Sequence, residues 1–321
     1  MQTAIARLAA VLVCCAAAFA THAQTYPSKP IRLVVGYAAG GGTDTLARML
    51  GVKLEASWGK PVIVENRTGA SGILATEMVK QSAPDGYTLI VGGSSAMTIN
   101  PTLIAKLSYD PLKDFIPVTN LAQYPLLILV NPSLPVRSVR ELIAYAKANP
   151  GKLDYASPNT MGQLTMELFN QMAGTKLAHV PYKGGAPSIV ATLSGETQLV
   201  IVDTSPAIPH IKSGRLIGLA TTSSRRLTAL PEMPTVAESG LPGYDIATWF
   251  GLFAPAGVPG EIITKLNAEA GRIVNLPDFR EKLVALGGEP AAGTSEEFIA
   301  QIRRETARYA AIVKSGNIKA E

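Results

Sequence analysis

Residues 36–48, GYAAGGGTDTLAR, place three consecutive glycines between an apolar run and a helical pattern. A chain that turns through glycines into a helix start exposes backbone N–H groups, and such groups bind anions. A P-loop needs Gly-Lys-Ser/Thr, and no lysine follows Gly42. Gly40 and Gly42 fit the first two positions of a dinucleotide fingerprint, but Thr45 stands at the third. The sequence leaves two interpretations open: an anion site, or a tight turn in which Thr43 is the helix N-cap.

The nucleophiles and bases of the chain give little support for catalysis. There is no G-x-S-x-G, no H-E-x-x-H and no cluster of metal-ligand residues. His179 lies in the strand-like run LAHVPY, where a histidine is usually packed and hydrogen-bonded. Ser94 and Ser95 follow a predicted strand without a base that would activate them. Asp44 and Asp203 could face one cleft as a carboxylate pair, but each also fits a cap or turn. We therefore predict a binding protein rather than an enzyme.

The N-terminus has the features of a signal peptide. Arg7 is the only charged residue before Lys29, and the intervening run LAAVLVCCAAAFA is too short to span a membrane. Small residues ending in THAQ follow this run. We predict cleavage after Ala23, so that residues 1–23 are the signal peptide and Gln24 begins the mature chain.

The composition excludes several classes of protein. Both cysteines, Cys14 and Cys15, lie in the predicted signal peptide, so the mature chain has no disulfide, catalytic cysteine or thiolate metal ligand. The net charge is +5 and basic residues do not cluster, so nucleic acid is not an expected partner. No stretch after residue 23 has 18 apolar residues, and we expect a soluble exported protein.

Short apolar runs alternate with helical patterns along the chain. Strands are predicted at 31–35, 61–66, 87–93, 125–130, 153–157, 177–182, 197–203 and 216–222. Strands that are apolar on both faces and alternate with helices are typical of a parallel sheet covered by helices. The last third of the chain is helical, with patterns at 259–275, 278–287 and 295–314.

Two α/β units followed by helices predict an α/β protein of two lobes. The extended segments 115–130 and 243–257 are expected to cross between them. We assign residues 24–123 and 246–321 to lobe 1 and residues 124–245 to lobe 2, with a ligand cleft between the lobes. In open α/β sheets, ligands sit outside the carboxyl ends of the strands. Small polar residues follow four predicted strands: Gly40 to Thr43, Ser94 and Ser95, Ser157 to Thr160, and Asp203 to Ser205.

Several segments occur in a recognisable order over essentially the whole mature chain. They include YPSKPIRLVVGYAAGGGTDTLARML, GKPVIVENRTGASG, APDGYTLIVG, HVPYKGGAPSIV and FAPAGVP. Together they resemble the Bug family, or TctC-like proteins, the periplasmic solute-binding receptors of tripartite tricarboxylate transporters. The resemblance implies a type II periplasmic-binding-protein fold, a Venus flytrap whose lobes are mainly parallel sheets flanked by helices. It also implies a small organic carboxylate as ligand, delivered to a two-subunit membrane permease.

The resemblance further implies where the ligand binds. In this family, backbone amides and ordered waters near the first glycine turn hold the carboxylate, and the second lobe contributes two strand ends. We therefore expect the ligand-binding residues to be Tyr37, Ala39, Gly40, Gly41, Gly42, Thr43, Asp44, Ser94, Ser95, Ser157, Asn159, Thr160, Met161, Asp203, Thr204 and Ser205.

The chain departs from the family pattern in both turns. Ala39 stands near a position where proline is common, and YASPNTMGQLTMELF lacks a histidine often present while it contains Pro158 and Met161. Anion capture is expected to persist because amides perform it. Met161 indicates a less polar wall at the far end of the ligand, unless the loop has drifted without a change in specificity.

The expected protein is a monomeric periplasmic receptor without cofactor or metal. Two alternatives stay open. The same receptor could present its ligand to a sensor kinase, or the chain could be an exported hydrolase that uses Ser94 or Ser95.

Overall fold

The computed structural model describes residues 26–37, 39–69, 72–182, 184–316 and 318. The predicted signal peptide, residues 1–23, lies outside the described residues. The first half contains β1 (Ile31–Val35), α1 (Gly42–Trp58), β2 (Val62–Asn66), α2 (Ile73–Lys80), β3 (Thr88–Gly93), a π-helical turn (Ser95–Ile99), α3 (Asn100–Leu103) and β4 (Phe115–Val130).

The second half continues the alternation and then becomes helical, as the sequence predicts. Its first part comprises α4 (Val139–Ala148), β5 (Asp154–Ser157), α5 (Thr160–Ala173), β6 (Ala178–Pro181), α6 (Gly185–Ser194), β7 (Leu199–Asp203), α7 (Thr204–Lys212) and β8 (Ile217–Thr221). Its last part comprises β9 (Ala247–Pro255), α8 (Gly260–Val274), α9 (Pro277–Ala285), β10 (Glu289–Pro290) and α10 (Ser295–Gly316).

The sheet confirms the two-lobed α/β fold. In lobe 1, β1 pairs in parallel with β2 and β3, and β3 pairs with β9 in antiparallel orientation. In lobe 2, β5 pairs in parallel with β6 and β7. The 16-residue strand β4 belongs to both lobes, because its residues 115–125 pair with β9 and its residues 126–130 pair with β7 and β8. Each lobe therefore has a parallel part, β1 to β3 or β5 to β7, and every pairing that involves β4 or β9 is antiparallel.

Local sequence signals set the helix ends. The side chain of Ser138 accepts a hydrogen bond from the Glu141 amide at 3.2 Å, which caps α4. Gly59 and Gly174 end α1 and α5 in the left-handed conformation, which glycine adopts without steric cost. The side chain of Asn159 accepts a hydrogen bond from the Gly162 amide and caps α5, which begins at Thr160.

Apolar clusters cover both faces of each sheet. On lobe 1, Leu33 and Val35 face a cluster with helices α1, α8 and α9, while Val34 faces a second cluster with Trp249. Two further clusters cover the faces of lobe 2. Burial on both faces explains why these strands are continuous apolar runs.

The C-terminal helix α10 contacts the cores of both lobes. Its residues Phe298 and Ile302 pack in the lobe 1 cluster with Trp249, whereas Tyr309 and Ile312 pack in a lobe 2 cluster. The lobe boundaries drawn from the sequence stay a prediction. Within the described ranges, none of the helices combines the length and the apolar character that crossing a bilayer requires.

Candidate functional site

The carboxyl ends of strands from both lobes point towards each other. Strands β1 and β3 run parallel to β4, because β9 is antiparallel to both β3 and β4. Strands β5 and β7 run opposite to β4, so they end on the side of lobe 2 that faces lobe 1. Gly93 pairs with Phe250, which pairs with Ala122, and Asp203 pairs with Leu126. The end of β3 is thus level with Ala122, and the end of β7 is level with Leu126. These two positions are four residues apart along β4, a distance of about 13 Å.

The glycine turn at the end of β1 leaves the start of helix α1 open. Gly41 is the N-cap residue and provides no side-chain hydrogen bond, so the alternative in which Thr43 is the N-cap is wrong. The first intrahelical bond runs from the Thr45 amide to the Gly41 carbonyl at 2.9 Å. The amides of residues 41–44 therefore have no acceptor within the helix. Gly40, Gly41 and Gly42 are exposed, and a Cβ placed on Gly42 meets no atom within 4 Å.

The Asp44 side chain holds this turn from within the protein. It is 2 % exposed, and its Oδ2 accepts hydrogen bonds from the Gly40 amide at 2.8 Å and from Arg48 Nε at 3.0 Å. Its Oδ1 accepts from Asn66 Nδ2 at 2.9 Å, which also donates to the Tyr37 carbonyl at 3.0 Å. Burial opposes ionisation, but the bonds from Arg48, Gly40 and Asn66 outweigh it and hold the pKa of Asp44 below its usual range.

This network changes the roles available to two predicted ligand-binding residues. The Gly40 amide is already bonded to Asp44, and both carboxylate oxygens of Asp44 are occupied. Gly40 has a φ of +82°, so it supplies the backbone bend that brings its amide to the carboxylate. Gly41 and Gly42 are then the exposed residues of the turn whose amides have no acceptor within the helix.

The end of β3 contributes two hydroxyl groups beside the glycine turn. Ser94 is fully buried, and its Oγ has no hydrogen-bond partner in the part of the chain that the structure describes. Ser95 is half-buried and hydrogen-bonds the Tyr37 hydroxyl. Burial raises the pKa of Tyr37, and the bond from Ser95 opposes that rise. Neither serine has a histidine as hydrogen-bond partner among the described residues.

The lobe 2 turn after β5 is closed by its own hydrogen bonds. Ser157 Oγ lies 2.7 Å from His179 Nε2 and 3.2 Å from the Asn159 carbonyl oxygen. Asn159 Oδ1 accepts from the Gly162 amide at 3.0 Å, so this side chain caps α5. The side chain of Met161 is 4 % exposed and packs in the lobe 2 core. In this turn Asn159 is exposed, and Pro158 and Thr160 are half-buried.

The pair Ser157–His179 resembles part of a hydrolase dyad but is poorly placed for catalysis. Ser157 is 1 % exposed, so a substrate cannot reach its Oγ without displacement of the turn. The His179 ring packs against the Tyr155 ring at a centroid distance of 5.2 Å. Burial lowers the pKa of His179, which favours the neutral imidazole. The contacts fit the packed histidine predicted from the sequence.

The end of β7 forms the wall opposite the glycine turn. Asp203 occupies the N-cap position of α7 but makes no capping hydrogen bond, and Ser205 beside it is exposed. Asp203 is accessible to solvent, yet surrounding protein desolvates its carboxyl and raises the pKa. Thr204 is buried and its Oγ1 donates to the Pro125 carbonyl at 3.0 Å. A Cβ on Gly287 would lie 3.0 Å from the Ser205 amide nitrogen, so the turn before β10 contacts this helix start.

Three residues important to the site are missing from the sequence-based set. Asn66 and Arg48 hold the glycine turn, and Tyr124 lies on the crossing strand with a buried hydroxyl that has no partner among the described residues. Arg48 follows Asp44 by four residues on a helix, a spacing that signals such a pair. Asn66 and Tyr124 carry no comparable local signal. Within the described chain, no group of three or more His, Cys, Asp or Glu residues is arranged to hold a metal.

Comparisons with known proteins point to one family. A sequence profile of the tripartite tricarboxylate transporter family receptor (TctC) matches residues 46–318. The protein BugT from Bordetella pertussis (strain Tohama I) is 36% identical over 301 residues, which cover 92% of this chain and 92% of BugT.

Two solved structures share the fold and contain acids. R. palustris Rpa4515 with adipate is 36% identical, with a TM-score of 0.76, over 92% of this chain and 99% of Rpa4515. MatC (Rpa3494) from Rhodopseudomonas palustris with bound malate is 31% identical, with a TM-score of 0.71, over 90% of this chain and 100% of MatC.

Proposed function

Since the chain belongs to the tripartite tricarboxylate transporter receptor family, we propose that it is a periplasmic receptor for a small organic carboxylate. The observation that carries the proposal is the uncapped start of α1, where exposed amides of Gly41 and Gly42 face the other lobe. Adipate and malate in two relatives support an acid of this size and class.

The glycine turn suits a carboxylate for physical reasons. A carboxylate that leaves water must regain its hydrogen bonds, since burial of an unpaired charge costs several kcal/mol. Amides at a helix N-terminus supply such bonds, and the helix dipole adds about 0.3–1 kcal/mol at an exposed site. Asp44 fixes the turn before the ligand arrives, so little ordering remains to be done on binding.

Binding from both sides couples the ligand to lobe closure. The ligand carboxylate sits on the lobe 1 amides, and Ser205 and Thr160 of lobe 2 offer polar groups on the opposite wall. These two sets of groups surround the ligand together only when the lobes approach. The ligand therefore shifts the population towards the closed form, which a membrane permease can distinguish from the open form. We propose that a single chain delivers its acid to a two-subunit permease of the tripartite tricarboxylate type.

Isothermal titration calorimetry with adipate, malate, citrate and benzoate tests the receptor function. We expect at least one acid to bind the wild type, and Gly42→Phe to abolish that binding because its ring covers the amides. Gly260→Phe is the matched control, since Gly260 is also the exposed first residue of a helix and a Cβ there meets no atom within 4 Å. Absence of binding across the panel, or equal affinities in Gly42→Phe and wild type, would refute the proposal.

A further inference from the structure

A second cavity, which we call the hinge pocket, lies where the lobes meet and has a volume of about 650 Å³. Its lining residues come from the crossing strand β4, the loop after β8 and the region from α8 to β10. They are Gln123, Pro125, Ser223, Ser224, Arg225, Arg226, Thr228, Asn275, Arg280, Glu289, Pro290, Ala291 and Ala292.

The hinge pocket is separate from the cleft with the glycine turn. Gln123 and Pro125 project from one face of β4, and Tyr124 projects from the other, because side chains alternate along a strand. The Tyr124 ring packs on Phe250 at 5.3 Å, and a Cβ on Gly93 would lie 2.9 Å from the Phe250 ring. The end of β3 is therefore on the Tyr124 side of the crossing strand, and none of the residues given for the pocket lining in the described chain belongs to the glycine turn, the end of β3 or residues 203–205.

Three guanidinium groups from both sides of the pocket line this one cavity. Arg226 already has an acidic partner, since its Nε lies 3.0 Å from Glu238 Oε2. Neither Arg225 nor Arg280 has a carboxylate within 4.0 Å among the residues that the structure describes. Among the described residues, the Arg280 guanidinium makes one hydrogen bond, a long one of 3.4 Å to Asn275 Oδ1.

Glu289 is the acidic residue among those that line the pocket, and its carboxylate is bonded to Thr228 rather than to an arginine. Glu289 accepts hydrogen bonds from the Thr228 amide at 2.6 Å and from Thr228 Oγ1 at 2.9 Å. These bonds join the loop after β8 to β10 and close one side of the pocket. Like charges that face one cavity repel each other, so an anion between Arg225 and Arg280 would relieve an unfavourable interaction.

We propose that the hinge pocket binds a small polyanion with two or more carboxylate or phosphate groups. Guanidinium groups bind such oxyanions with two parallel hydrogen bonds, and the exposed Ser224 hydroxyl adds a donor. The volume lies within the range of small-molecule pockets. The anion bridges Arg225 and Arg280, so its binding stabilises the lobe arrangement in which Thr228 contacts Glu289.

Calorimetric titration with pyrophosphate and, separately, citrate tests the site and distinguishes phosphate from carboxylate. We expect the double variant Arg225→Gln/Arg280→Gln to bind the preferred probe at least about tenfold more weakly than wild type. The control Arg303→Gln/Arg304→Gln loses the same charge on exposed positions of α10 and retains wild-type affinity. Arg225→Gln alone, on an exposed loop, replaces the double variant if the latter does not fold.

The Gly42→Phe variant separates the hinge pocket from the cleft. With the cleft blocked in this variant, probe binding at the hinge pocket is expected to persist and to weaken at least about tenfold when Arg225→Gln and Arg280→Gln are added. The proposal is overturned if neither probe binds wild type, if the arginine variant binds as tightly, if the control loses affinity equally, or if Gly42→Phe abolishes binding.

Discussion

Replacing Asp44 by asparagine tests whether the glycine turn is built by the protein before a ligand binds. Asparagine has nearly the same shape but presents one acceptor where aspartate presents two. Every group that contacts the Asp44 carboxylate is a donor: the Gly40 amide, Arg48 Nε and Asn66 Nδ2. At least one donor then faces the new amide group, and Asn66 cannot turn to meet it without losing its bond to the Tyr37 carbonyl.

The expected cost follows from these contacts. Hydrogen bonds that involve a charged group contribute about 1.5–3 kcal/mol each to stability. The Arg48 side chain is 50% exposed, so solvent screens that part of the interaction. We therefore expect Asp44→Asn to lower the free energy of unfolding by about 2 kcal/mol. Loss of the Gly40 bond also loosens the turn, and we expect about tenfold weaker carboxylate binding.

Urea denaturation and calorimetry with the best-bound acid measure the two effects. Asp278→Asn is the control, because Asp278 is an acid on the same lobe whose ion pair with Lys53 is exposed. This control is expected to change neither quantity appreciably. Stability and affinity equal to those of the control would show that the turn does not depend on Asp44.

The pH dependence gives a second test of the same residue. The pKa of Asp44 is lowered in the folded protein, so its stabilisation is complete above the unfolded value of about 3.9. It is lost as the pH falls through the lower folded-state pKa. The stability difference between wild type and Asp44→Asn should therefore shrink only at strongly acidic pH.

Two further predictions concern His179 and Asp203. Burial lowers the pKa of His179, so wild-type stability falls as the pH drops through about 6.5 towards the folded-state pKa. His179→Gln should flatten this decline in urea denaturation between pH 7 and pH 5, and an unchanged slope would contradict the assignment. Asp203→Asn removes a negative charge beside the cleft and should tighten adipate binding about threefold at pH 7. Desolvation raises the pKa of Asp203, so calorimetry should show this gain shrinking towards pH 5; weaker binding by the variant would contradict repulsion.

The architecture is largely predictable, because strands that are buried on both faces have apolar side chains on both faces, and such runs are visible in the sequence. Apolar residues occupy both faces of the runs at 31–35 and 197–203 (residues 33–35 and 199–202), and the structure forms β1 and β7 there. The full length of β4 is harder to predict, since Pro117 and Asn120 interrupt its apolar pattern. Its register shifts between Pro117 and Thr119 and again between Asn120 and Ala122, and these irregularities accommodate the residues within one strand.

The candidate site is predictable only where its signal is local. The glycines mark a turn, and the pair Asp44–Arg48 is visible as an i, i+4 spacing. Asn66 reaches Asp44 because β1 and β2 pair with Val35 opposite Asn66, a register that no local pattern encodes. Met161 shows a limit of the local signal, since it lies in the first turn of α5 and its side chain packs in the core. The direct ligand contacts of the predicted residues stay a prediction.

The position of α10 restricts how the molecule can open. This helix of 22 residues is about 33 Å long, and its two halves are anchored by Phe298 in one core and Tyr309 in the other. A rotation that bent it would break backbone hydrogen bonds, so the rotation axis must pass close to the helix. Helix α1 lies on the opposite face of the lobe 1 sheet, where Leu46 and Leu50 pack. We therefore expect the lobes to separate most beside the glycine turn, which is the side from which the proposed ligand would enter and leave.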